Sequence, residues 1–157
     1  MTKFYTDEKQ IINWLEKYKI KKYTLVPDKK YEFIVNVNGH VDLRGKELLS
    51  IPVKFNEVNG DFYCNDNKLT SLEFSPQTVD GDFYCSNNKL TSLEFIPQTV
   101  GLSFDCSHNL KLKEIQQITD FKLIYLEHKK ILINKLSDKL SNNLINKNPR
   151  KITKIKI

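Results

Sequence analysis

The sequence predicts an α/β solenoid: a short array of about 3–4 stacked repeats contributing strands to a parallel sheet, closed by an N-terminal helix-and-strand cap and a C-terminal helical cap. Three observations carry this prediction. Two consecutive 21-residue segments are nearly identical, GDFYCNDNKLTSLEFSPQTVD over 60–80 and GDFYCSNNKLTSLEFIPQTVG over 81–101. Apolar residues recur at matching places in both. The flanks lack the repeat and show helical spacing instead.

The two copies differ at four of 21 positions, Asn65/Ser86, Asp66/Asn87, Ser75/Ile96 and Asp80/Gly101. A weaker copy lies upstream, where Gly39, Leu48, Ser50 and Val58 align with Gly60, Leu69, Ser71 and Val79. A fourth begins with Leu102 to Asn109, then carries one extra residue before Leu112 and Ile115. Within a copy, Phe83-x-Cys85 alternates apolar and polar, as a short strand with one buried face does. Asn88, Leu90 and Leu93 follow, and Pro97 ends the segment. The expected core ladders are Val41/Phe62/Phe83/Phe104, Leu43/Cys64/Cys85/Cys106, Leu48/Leu69/Leu90 and Ile51/Leu72/Leu93. Asn67, Asn88 and Asn109 form a fifth ladder, with side chains directed inward to bond loop backbone groups.

This L-x-L-x-x-N-x-L pattern resembles a leucine-rich repeat, at a period within the usual 20–29 residues. The Pro-x-x-Val stretches and the N-x-L-T-S-L run are similar to the short repeats of secreted bacterial effectors. The run GDFYCSNNKLTSLE resembles repeat proteins of phages and mobile elements of AT-rich bacteria. The composition agrees with an AT-rich source: alanine is absent, and the only arginines are Arg44 and Arg150 against 23 lysines. The resemblance implies the fold and a binding role rather than a reaction. The ubiquitin-ligase domain that often follows such repeats in effectors has no room in the 40 or so residues after the array.

Four segments result: a cap over 1–38, repeats over 39–115, a helical cap over 116–146 and a basic tail over 147–157. In the first, Thr6 with Asp7 and Glu8 marks a helix start. Ile11, Ile12, Leu15 and Tyr18 form its apolar face, with Trp14 near the edge. Tyr23–Val26 and Phe33–Val37 read as strands separated by a Pro27-Asp28 turn, and Asn38-Gly39 turns into the first repeat. Leu132, Leu136, Leu140 and Leu144, with Ile133 and Ile145, predict an amphipathic helix over 127–145 that covers the open end of the array.

Several functional classes lose support at this stage. No segment approaches the roughly 18 apolar residues of a membrane span, and charges interrupt the first twenty residues too often for a signal peptide. No nucleophile elbow, P-loop or dinucleotide fingerprint occurs, so a non-enzyme without cofactor is expected. His40, His108 and His128 share no spacing with acidic or serine partners. Cys64, Cys85 and Cys106 fall in one column, but without a zinc-type spacing they read as small buried apolar residues rather than metal ligands. Three reduced thiols favour a cytoplasmic location, the host cytoplasm for a viral protein.

Charge is segregated. The net charge of +6 divides into +4 over 1–55, −6 over 56–106 and +8 over 107–157. Alternation puts Asp42, then Asp61, Tyr63 and Asn65, then Asp82, Tyr84 and Ser86, then Asp105 on the open sheet face. These eight residues are the candidate partner-binding set, because stacked strands form a rigid platform. Tyrosine offers large contact area at small entropic cost, and carboxylates favour a basic partner. The alternative explanation is inheritance of solvated residues through recent duplication.

The expected function is a non-catalytic protein–protein interaction module. The phage-like resemblance implies occupation or inhibition of a host protein. A different reading uses the basic end, Lys147, Arg150, Lys151, Lys154 and Lys156, to bind nucleic acid phosphates. A third makes the chain a self-assembling structural subunit.

Overall fold

A computed structural model describes residues 4–109 and 121–147. The chain divides into two compact units, Met1–Ile124 and Tyr125–Ile157. The first contains a solenoid of about three turns with parallel strands.

Helix α1 spans Glu8–Lys17 and begins one residue later than expected, because Asp7 is the N-cap and its carboxylate accepts from Gln10 N at 2.9 Å. Ile11 and Leu15 are buried as predicted. Trp14 is buried too, not peripheral, and its ring lies 6.2 Å from Phe55. The helix ends in a Schellman turn: Lys19, at φ 57°, donates to Glu16 O, and Ile20 N donates to Leu15 O. Strands β1 (Tyr23–Asp28) and β2 (Glu32–Val37) pair antiparallel. Pro27 lies within β1, at the edge of its sheet where a missing N–H is tolerated. The turn falls after it, held by Asp28 Oδ1 accepting from Lys30 N and Tyr31 N.

The solenoid strands are β3 (Val41–Asp42), β4 (Phe55–Val58), β5 (Phe62–Tyr63), β6 (Thr78–Val79), β7 (Phe83–Tyr84), β8 (Thr99–Val100) and β9 (Phe104–Asp105). They form two sheets where one was expected. One is the anticipated β3-β5-β7-β9 sheet; the other has the order β1-β2-β4-β6-β8. The second arises from the Pro-Gln-Thr-Val run. Proline fixes an extended entry, β-branched Thr and Val favour the pleated conformation, and backbone bonds such as Gln77 N to Asn56 O tie each run to the previous turn. Successive turns pair in parallel at the repeat period, Phe62 with Phe83 and Val58 with Val79.

A sharp corner joins the two strands of each turn, and glycine is required there by close approach. A Cβ on Gly60 would stand 2.7 Å from Gly39 O, and one on Gly81 would stand 2.8 Å from the Gly60 carbonyl carbon. The opposite corner uses left-handed backbone at Gly45, Asp66, Asn87 and His108, with φ between 51° and 60°. Asp, Asn and His are the side chains that accept this conformation most readily. A backbone requirement thus accounts for His108.

The predicted ladders form the core. Phe62 and Phe83 stack at 5.5 Å, Phe83 and Phe104 at 5.7 Å, both within 7° of parallel. Cys64, Cys85, Leu69, Leu90, Leu72 and Leu93 are fully buried. The asparagine ladder stitches the turns together. Asn88 Oδ1 accepts from Leu69 N at 2.9 Å, while its Nδ2 donates to Cys64 O at 2.9 Å and Cys85 O at 3.1 Å. Asn67 and Asn109 repeat the arrangement one turn away on either side. The expected Leu112 and Ile115 lie outside the described residues.

Helix α2 spans Phe121–Lys147, longer at both ends than predicted. Ile133, Leu136 and Leu140, from its expected apolar stripe, are exposed. No helix among the described residues is long and apolar enough to cross a membrane.

Candidate functional site

The β3-β5-β7-β9 sheet places the predicted residues in three rows. Its register aligns Asp42, Tyr63, Tyr84 and Asp105 side by side. The Tyr63 and Tyr84 rings lie 5.3 Å apart, tilted by 46°. Arg44, which sequence reasoning put on this face but not in the binding set, organises the N-terminal end of the row. Its guanidinium holds Asp42 through two bonds, Nε to Oδ1 at 2.9 Å and Nη2 to Oδ2 at 2.7 Å, and its Cζ lies 4.8 Å from the Tyr63 ring centre. The sequence signal was present: continued alternation from Asp42 puts Arg44, two residues on, on the same face, although β3 itself ends at Asp42.

Asp61 and Asp82 form the next row and do structural work that the sequence did not reveal. Asp61 Oδ1 accepts from Asp82 N at 2.9 Å, and Asp82 Oδ1 accepts from Ser103 N at 2.9 Å. Each carboxylate thereby bonds the backbone one turn ahead. His40 occupies the same place on the first turn, with Nδ1 3.1 Å from Asp61 N and 2.9 Å from Asp61 Oδ2. The third row contains Asn65 and Ser86. Asn65 Nδ2 donates to Asp66 Oδ2, and among the described residues Asn65 Oδ1 is buried without a partner.

These contacts set the electrostatics. The Arg44 guanidinium holds the Asp42 carboxyl below its ordinary range. The Asp82 backbone N–H does the same for Asp61. At Asp105, burial opposes ionisation but is outweighed by hydrogen bonds from Ser107 and Ser86. The three stay ionised at neutral pH. The Tyr63 hydroxyl is pushed up to about 12 by desolvation and by neighbouring Asp61, so it remains a neutral donor. The face offers two aromatic rings and hydrogen-bonding groups among fixed negative charges, with one arginine at its end.

The remaining candidates separate from this face. Burial raises the thiols of Cys64, Cys85 and Cys106, the last to about 11, which keeps them protonated and poorly reactive. Among the described residues no group of three His, Cys, Asp or Glu is arranged to hold a metal ion. Lys147 is the last residue of α2; Arg150, Lys151, Lys154 and Lys156 lie outside the described residues.

Comparison of the chain with protein-family models, with curated proteins and with solved structures finds no match in any of the three.

Proposed function

We propose that the protein is a non-catalytic binding module whose protein partner docks across the open face of the β3-β5-β7-β9 sheet. The observation that carries this reading is the aligned row in which Arg44 lies over Tyr63 and Tyr63 packs on Tyr84, with carboxylates on both sides. Tyrosine and arginine are enriched among residues that dominate binding energy, and these are held by backbone pairing before a partner arrives, which lowers the ordering cost. The acidic flanks select a partner with a basic surface. Within this reading the turns are a short variant of the leucine-rich repeat, and α1, β1 and β2 cap the first turn. The resemblance to phage repeat proteins makes a host protein the target, occupied in the cytoplasm.

The test is affinity capture from nuclease-treated bacterial lysate with wild type and with Tyr63→Ala/Tyr84→Ala. A protein retained by wild type and lost by the variant is the expected result. Equal retention by both would sink the assignment of this face.

A further inference from the structure

A concavity of about 300 Å³ lies beside the first strand of the face. One wall comes from the Schellman turn after α1, which presents Lys17, Tyr18, Lys19 and Ile20. The other comes from the first solenoid turn, with His40, Asp42 and Lys46. Among the described residues Lys17, Lys19 and Lys46 form no ion pair. Asp42 is the only carboxylate in the lining, and both its oxygens are taken by Arg44. The Lys17 ammonium lies 5.3 Å from the Tyr18 ring centre, and three lysines thus line one hollow without a carboxylate partner of their own, an arrangement that concentrates anions.

The rest of the lining is the His40 imidazole, Tyr18 and Ile20. Ile20 is buried, and the half-buried Tyr18 ring packs against Trp14 at 4.7 Å. Lysine ammoniums are point donors without the planar fork of arginine. Three of them from two segments suit a tetrahedral anion that gives each a different oxygen, better than a flat carboxylate. The volume lies at the lower end of the range for small-molecule sites and exceeds what a bare phosphate needs.

We propose that this hollow is a binding site for a phosphate monoester carried on a ring-bearing group, with Lys17, Lys19 and Lys46 holding the phosphate and Tyr18 with Ile20 receiving the ring. The site adjoins the tyrosine row at Asp42, which lines both, and does not rest on the partner-binding reading.

The test is titration of the whole protein with phenyl phosphate, a nucleoside 5′-monophosphate and inorganic phosphate. Fluorescence of Trp14, the single tryptophan, reports through its contact with Tyr18. Saturable binding of an ester at roughly 1 mM or tighter is expected, with inorganic phosphate weaker. The two esters distinguish an aryl phosphate from a nucleotide as the preferred source. Lys17→Gln/Lys46→Gln weakens ester binding by about tenfold or more, with an unchanged unfolding midpoint confirming that it folds. Lys135→Gln on α2 leaves ester binding intact. Absence of saturable binding, or an equal loss in Lys135→Gln, would overturn the site; inorganic phosphate binding as tightly as both esters would overturn the ring-bearing class.

Discussion

Asparagine in an apolar interior is tolerated only when its amide is paired, and Asn88 meets that condition by bonding two consecutive turns. Asn88→Ala would leave Leu69 N without its partner, and Cys64 O and Cys85 O with only the bonds from Asn67 and Asn109. We expect a loss of about 1–3 kcal/mol, read as a lower urea midpoint at unchanged slope; a change below about 0.5 kcal/mol would contradict the ladder. Lys54 is the opposite case, a half-buried charge that costs stability. Its ammonium donates to Ser75 O at 3.0 Å, and burial lowers its pKa from 10.5 to about 8. Between those values the folded state binds fewer protons than the unfolded one, so this lysine makes stability rise with pH across that window. Lys54→Met is expected to stabilise the protein at pH 7 by about 1–3 kcal/mol, and the difference from wild type to shrink as pH rises from 8 towards 10.5. A pH-independent difference in urea unfolding would show that the ammonium is not penalised.

At the scale of elements, the corner glycines set how closely turns stack. Gly81→Ala brings a Cβ against Gly60 backbone, which cannot swing aside as a flexible side chain would. The expected cost is about 1–3 kcal/mol, visible as a lower thermal midpoint; an unchanged midpoint would mean that the corner has slack. The elements also show what could be read from the chain alone. The core ladders were legible because a 21-residue period repeats Phe62, Cys64, Leu69 and Leu72 almost unchanged. The second sheet was not, because Thr78–Val79 and its equivalents are two residues long and too short to show alternation. Trp14 was misplaced because helical periodicity locates a face but not the Phe55 ring that widens it. In the candidate site, the Asp42/Tyr63/Tyr84/Asp105 row followed from period and alternation. The backbone bonds of Asp61 and Asp82 did not, since they depend on carboxylate orientation across turns. The lysine-lined hollow was also hidden, as its walls are twenty or more residues apart in the chain.

For the whole molecule, the segregated charge has a structural counterpart in part of the chain. The acidic 56–106 segment coincides with the solenoid turns that carry the tyrosine row, while Arg44, Lys17, Lys19 and Lys46 stand at its N-terminal end. A partner matched to this face would present basic residues to Asp61, Asp82 and Asp105. Such charges act mainly on encounter rate and salt dependence, whereas the aromatic pair acts on lifetime. The central claim is that the β3-β5-β7-β9 face, and not the opposite sheet, holds the partner. The most direct test sets Tyr63→Ala/Tyr84→Ala beside Thr78→Ala/Thr99→Ala in parallel captures, all folded by circular dichroism. The account predicts that the tyrosine variant loses the captured protein and the threonine variant retains it. Retention by the tyrosine variant, or equal loss in both, would contradict it.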